Sequence, residues 1–228
     1  MENGQTVRDV CNAWLLMQPD CPLCLRPEAG FFCADRRRAY FRCPRCDLVF
    51  VPRVCHLSRE AEKRRYDQHR NDPRDVAYRA FLQRLATPLL ARLAPGAEGL
   101  DYGSGPGPTL SLMLAERGHR TALYDVFYAP DTAVLARSYD FLTCSETMEH
   151  FADPRREWRR FLHLVRPGGW IAVMTRLRDA AGDFSAWYYK NDETHVAFYS
   201  RATFHYLARR DGLGLSFEGD SVVLLRVG

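Results

Sequence analysis

The sequence predicts an α/β fold, a doubly wound and mostly parallel sheet flanked by helices and preceded by a small four-cysteine module. Three observations carry that prediction. From Tyr78 onward, apolar residues at helical spacing alternate with short apolar runs, the order of parallel α/β proteins. A glycine-rich turn, Gly103-Ser104-Gly105-Pro106-Gly107, lies between a predicted strand and a predicted helix. Two Cys-x-x-Cys pairs stand 18 residues apart near the N-terminus.

The chain of 228 residues has room for one ordinary domain and a small module, and its 46% hydrophobic content is that of a folded protein. No apolar run approaches the roughly 18 residues needed to span a bilayer. Met1–Gln5 has neither the basic start nor the apolar stretch of a secretory signal, so the expectation is a cytoplasmic protein with no membrane role. In that compartment eight cysteines are better explained by metal or burial than by disulfides. The net charge of +4 is uneven: residues 1–79 carry 15 Lys and Arg against 11 Asp and Glu, and residues 80–228 carry 17 against 17. The excess, around Arg36-Arg37-Arg38, Arg42, Arg45 and Lys63-Arg64-Arg65, reads first as a solvated face and second as a surface for nucleic acid or an acidic substrate.

Three segments follow: a module over 1–56, a charged helical connector over 57–76, and a larger α/β domain over 77–228. In the module, Ala39-Tyr40-Phe41 and Leu48-Val49-Phe50-Val51 read as short strands. Cys21, Cys24, Cys43 and Cys46 are the predicted metal ligands. A two-residue gap lets one turn aim two sulfurs at one ion, and the segment between the pairs is long enough for a hairpin that joins them. Four thiolates close the coordination shell, so one structural zinc ion is expected, with metal binding supplying folding energy that so small a core lacks. Cys33, Cys55 and His56 are reserves, and Cys11 and Cys144 read as small buried hydrophobes.

In the larger domain, Phe81, Leu82, Leu85, Leu89 and Leu93 mark a helix ended by Pro95-Gly96, and Gly99–Tyr102 opens the sheet. The glycine turn feeds a helix at Leu110–Glu116. The next strand, Thr121–Tyr124, ends in Asp125, twenty residues beyond Gly105, where a carboxylate can accept hydrogen bonds from both hydroxyls of a ribose. Either feature alone fits an ordinary βα turn, and dehydrogenases use a close variant of the glycine loop. Together they predict a nucleoside ligand.

Three further segments carry a resemblance. Tyr139-Asp140-Phe141-Leu142-Thr143-Cys144-Ser145-Glu146-Thr147-Met148-Glu149-His150 resembles the fourth strand and following loop of class I S-adenosylmethionine-dependent methyltransferases, particularly those similar to ubiquinone-biosynthesis O-methyltransferases. Leu164-Val165-Arg166-Pro167-Gly168-Gly169 resembles the turn before their fifth strand, here Trp170–Thr175. His195–Ser200 resembles their substrate-side segment before the last helix. Cys43–Pro52 is similar to an N-terminal element of zinc-ribbon members of that superfamily. The resemblance covers most of the chain. It implies a Rossmann-like fold, S-adenosylmethionine as cofactor, and a cofactor site built from Asp101, Gly103, Ser104, Gly105, Gly107, Asp125, Val126, Ser145 and Glu146. One departure is plain: only 14 residues separate Asp125 from Asp140, where the family fits a helix, a strand and another helix. Ala133–Ala136 is the candidate remnant of that third strand, and Val126 and Phe127 are candidates for apolar contact with the base.

Methyl transfer to oxygen or nitrogen often needs a base as well as alignment. His195, with Asp192 and Glu193 beside it in sequence to orient it, and His150, just past the fourth strand, are the candidate catalytic residues. Glu146 and Glu149 are expected to hold substrate or shape the loop. Trp187, Tyr188 and Tyr189 could stack on a planar acceptor, although such runs more often pack as core or lid. The expected function is methyl transfer to a small-molecule acceptor. An RNA methyltransferase gripping its substrate through the basic module, and a non-catalytic zinc scaffold, are the alternatives. A final antiparallel strand is expected at Val222–Arg226, paired near Leu215–Phe217.

Overall fold

The computed structural model describes residues 18–68 and 71–228. Cys11 therefore lies outside the described residues. The N-terminal segment folds as three strands, β1 (Gly30–Ala34), β2 (Ala39–Arg42) and β3 (Val49–Phe50). The connector holds helix α1 (Arg59–Tyr66), capped by the Ser58 hydroxyl, which accepts from the Ala61 amide. Glu60 and Glu62 lie in its first turn and Lys63, Arg64 and Arg65 in its last, the order that the helix dipole favours. Helix α2 (Val76–Leu90) starts at Asp75, whose carboxylate accepts from Ala77 and Tyr78, and buries Leu82, Leu85, Ala86 and Leu89 along one stripe. There follow β4 (Glu98–Tyr102), α3 (Thr109–Ala115), β5 (Arg120–Tyr124), β6 (Tyr139–Ser145), α4 (Pro154–Leu164), β7 (Val165–Met174), β8 (Ala197–Phe198), α5 (Arg201–Asp211), β9 (Gly214–Glu218) and β10 (Val222–Arg226).

The large sheet has the order β5-β4-β6-β7-β10-β9. The first four strands are parallel, β10 runs antiparallel to β7, and β9 pairs antiparallel with β10, with Leu225 opposite Leu215 and Val223 opposite Phe217 as expected. Strand alternation sorts its side chains into two layers. Ile171, Val173, Val223 and Leu225 pack with Trp158, Phe161, Phe204 and Leu207 of α4 and α5. Ala172, Met174, Val222 and Leu224 pack with α2 and with Leu110, Met113 and Leu114. Asp131 caps a 3-10 turn at Thr132–Ala136. The expected remnant of a third strand is thus a turn: the 14 residues are taken up by the single crossover from β5 to the parallel strand β6, which leaves no length for a further strand with its own crossover, and β5 stands at the sheet edge.

The cysteine hairpin does not sit apart. Strand β8, from the far end of the sequence, pairs with β3 and completes a second sheet of order β1-β2-β3-β8. Cys21, Leu23, Phe41 and Phe50 share one buried cluster with Leu100, Leu142 and Phe204.

Candidate active site

The glycine bend and the carboxylate after β5 meet at the carboxyl ends of the parallel strands. Gly103 turns away from β4 with φ +80° and its amide bonds the Tyr124 carbonyl at 2.7 Å. A Cβ on Gly103 would lie 2.2 Å from Thr147 Cγ2, and one on Gly107 would lie 2.1 Å from the Asn71 carbonyl oxygen, so Gly103 is fixed by contact as well as by conformation and Gly107 by contact. The Asp125 carboxylate is held by three amides: Oδ2 accepts from Gly105 at 3.0 Å, and Oδ1 accepts from Phe127 at 2.8 Å and Tyr128 at 3.1 Å. That leaves Oδ2 a lone pair for a further donor. Asp101 is buried and accepts from the Thr143 hydroxyl at 2.7 Å; burial, with the charge of Asp125 adding to it, pushes its carboxyl up to about 6. The Ser104 hydroxyl is buried without a protein partner. Val126 is half exposed, and its carbonyl accepts from Arg59.

At the end of β6 the backbone departs sharply, with Glu146 at φ +47° and its amide bonded to the Met174 carbonyl at 2.7 Å. The Ser145 carbonyl and the Gly103 carbonyl both face the Thr147 hydroxyl, at 3.0 and 3.3 Å. Two glutamates then share one phenol. The Tyr189 hydroxyl donates to Glu149 Oε1 at 2.5 Å and stands 3.3 Å from Glu146 Oε2, while Thr175 donates to Glu149 Oε2 at 2.9 Å. Glu146 Oε1 is buried and has no partner. Desolvation, followed by the neighbouring Glu149 charge, pushes the Glu146 carboxyl up to about 8.

Both candidate histidines stand beside this pair. One carboxylate oxygen of Glu149 and one ring nitrogen each of His150 and His195 lie within 4.8 Å of one another. The two imidazoles meet edge to face, 4.7 Å between centroids. His195 Nδ1 lies 2.7 Å from the Tyr189 carbonyl, and His150 Nδ1 lies 3.2 Å from the Thr194 carbonyl. A carbonyl can only accept, so Nδ1 carries the proton in both rings and Nε2 is the basic nitrogen. Burial, then His150, lowers the His195 pKa to about 4, which leaves that ring neutral at physiological pH. Asp192 and Glu193 do not orient His195. Asp192 caps Thr194 and pairs with Arg65, and Glu193 pairs with Arg37, because a turn directs both carboxylates outward. The aromatic run divides. Trp187 and Tyr189 are buried against Phe184 and Phe198, and Tyr188 is exposed beneath the Arg176 guanidinium.

Helix α1 roofs the crevice, a role with no sequence signal. Tyr66 packs on Phe127 on one side, 5.8 Å between centroids, and on His150 on the other, 5.2 Å. Arg59 and Lys63 lie over Phe127 and Tyr128, and Tyr128 donates to Asp67 at 2.7 Å. Beside His150 opens a cavity of about 200 Å³, walled by Arg53, His56 and Leu57, by Glu62 of α1, and by Glu193, Thr194 and Val196.

The four predicted thiols converge. Cys21 and Cys46 sulfurs are 3.6 Å apart, Cys24 and Cys43 are 3.4 Å apart, and all four lie within 4.8 Å of one another. The two knuckles repeat one geometry. In each, the first cysteine's carbonyl accepts from the amide four residues on, Leu25 or Asp47, and that residue has positive φ. A tetrahedron with bonds of about 2.3 Å sets sulfurs about 3.8 Å apart, which matches the cluster. Cys33, Cys55 and His56 stand outside it. Cys144 is fully buried, as expected.

A protein-family model described as "Methyltransferase domain" matches residues 68–215. Curated relatives include the ubiquinone biosynthesis O-methyltransferase of Cronobacter sakazakii, 33% identical over 91 residues, covering 40% of this chain and 37% of the relative. The corresponding enzyme of Serratia proteamaculans is 33% identical over 86 residues, 38% of this chain and 36% of the relative. The matched part of the chain thus spans little more than a third of those relatives. Among solved structures, the Burkholderia thailandensis 1,6-didemethyltoxoflavin-N1-methyltransferase superposes over 87% of this chain and 99% of its own, with a TM-score of 0.53 at 19% identity, a likeness of fold.

Proposed function

The chain belongs to the methyltransferase domain family, and from that premise we propose that it transfers a methyl group from S-adenosylmethionine to a small-molecule acceptor. The observation that carries the reading is the 3.0 Å hydrogen bond between the Gly105 amide and Asp125, which sets the glycine bend and a carboxylate with a spare lone pair around one space. The donor set fits the cofactor. Asp125 would take a ribose hydroxyl at its spare lone pair, and the buried, unpartnered Ser104 hydroxyl and Glu146 Oε1 would meet its polar groups. When bound, the cofactor supplies an electrophilic methyl group on sulfur. The protein's part is alignment, exclusion of water by α1 and Tyr66, and removal of a proton from the acceptor.

For that proton we favour His150 over His195. His150 lines the cavity, whereas His195 is buried and its basicity is lowered. The cavity beside His150 is the acceptor site in this reading. Cys21, Cys24, Cys43 and Cys46 would hold one structural zinc ion. A small acceptor is favoured over RNA because much of the basic charge is already paired: Arg37 with Glu193, Arg42 with Asp47, Lys63 with Asp67 and Arg65 with Asp192.

Titration calorimetry tests the reading. S-adenosylhomocysteine should bind at micromolar strength and NAD should not. Asp125→Ala should weaken the binding about 10–100-fold, the loss of one charge-assisted hydrogen bond. Binding of NAD in place of S-adenosylhomocysteine would overturn it.

A further inference from the structure

Arg38, on the turn between β1 and β2, is only 5% exposed, and among the described residues its guanidinium bonds backbone carbonyls and no carboxylate. All its terminal N–H groups are spent on backbone carbonyls of a segment more than 150 residues away. Nη1 donates to Glu193 at 3.0 Å and His195 at 2.8 Å, and Nη2 donates to Asp192 at 3.1 Å and to Lys190. A buried cation is tolerated when its donors are satisfied, and a planar fork of fixed N–H directions can satisfy four carbonyls where an ammonium cannot.

Two carbonyls adjacent to those four serve the histidines. Tyr189 accepts from His195 and Thr194 accepts from His150, so one short loop divides its oxygens between Arg38 on one side and the two imidazoles on the other. Further bonds tie the same loop to the hairpin: Lys190 to Asp35 at 3.2 Å, Val51 to the Val196 carbonyl at 2.9 Å, and the β3–β8 pairing.

We propose that Arg38 is a positioning residue: by gathering the 190–195 carbonyls it fixes the oxygens that set the tautomer and orientation of His150 and His195, and so makes the cysteine hairpin a working part of the methyl-transfer site. This rests on the methyl-transfer reading above. The hairpin's role is then to present one guanidinium at a set height above the sheet.

The test compares Arg38→Ala and Arg38→Lys with Arg36→Ala, a change at an exposed arginine of the same turn. Three quantities are read: S-adenosylhomocysteine affinity, kcat, and the imidazole tautomers from ¹⁵N chemical shifts. In the unaltered protein and in Arg36→Ala, both rings should hold the proton on Nδ1. In Arg38→Ala, His195 and His150 should become tautomer mixtures. The value of kcat should fall about 10–100-fold, as expected for a misplaced catalytic group, and cofactor affinity should stay within about twofold. Arg38→Lys keeps the charge without the fork and should fall between. If Arg38→Ala does not fold, the lysine variant carries the same measurements. Tautomers and kcat indistinguishable from Arg36→Ala would overturn the proposal, as would cofactor affinity falling in step with kcat, the mark of a purely structural role. A protein that binds the cofactor but methylates nothing would overturn the methyl-transfer reading instead, and the tautomers would still decide the role of Arg38.

Discussion

Replacing Glu146 by glutamine should stabilise the protein in alkaline solution and leave it nearly unchanged in mild acid. Glu146 lies beside Glu149, one of its oxygens has no partner, and its carboxyl is pushed from 4.5 up to about 8, first by burial and then by the Glu149 charge. The native state therefore keeps a proton that the unfolded chain releases above pH 4.5. The stability this provides is fully present below pH 4.5 and is lost as the pH rises through about 8. At about 1.4 kcal/mol per tenfold in proton affinity, the ceiling is about 5 kcal/mol. Tyr189 offsets part of the charge, and the residue as a whole is only part-buried, so about 2–3 kcal/mol is expected. Glutamine has no proton to lose. The difference between the two proteins should grow from near zero at pH 4.5 to that value at pH 9, a Tm gap of about 5–10 °C for a chain of this size. Urea unfolding across that range reads it directly. Parallel pH–stability curves would mean that Glu146 is solvated and ionised in the native state, and the account of the carboxylate pair would fail.

Two further changes probe the bend and the thiol cluster. Gly103→Ala should cost about 1–2 kcal/mol for positive φ and about 1–3 kcal/mol more for the clash with Thr147. Pairing it with Thr147→Gly should recover the second part only, and a double-mutant cycle with coupling below about 0.5 kcal/mol would refute the contact. The protein purified without chelator should carry one equivalent of zinc by elemental analysis. Removing it, or making Cys43→Ser, should lower Tm by about 10 °C or more, because the hairpin shares the main core; a metal-free protein with unchanged Tm would rule out the structural ion.

What could be read from the chain alone was whatever rests on local spacing. The α/β order follows from apolar periodicity, the thiol cluster from two short gaps and a hairpin-length insert, and the glycine bend and Asp125 from strand ends that the chain itself marks. Each of these depends on residues within about twenty-five positions of one another. The tertiary structure decided the rest. Sequence neighbours suggested Asp192 and Glu193 as partners for His195, but the ring takes the Tyr189 carbonyl. The unmatched pair Glu146 and Glu149 became a coupled site only once Tyr189 folded between them. The 3-10 turn at Thr132–Ala136 took the place of a strand because the short link from β5 to β6 is spent on the crossover itself. Arg38 belongs with these: in sequence it is one of three consecutive arginines, and only the meeting of β3 with β8 buries it among carbonyls that need its donors. Periodicity reports which face a residue shows, and carries no record of which distant backbone oxygen will be waiting there.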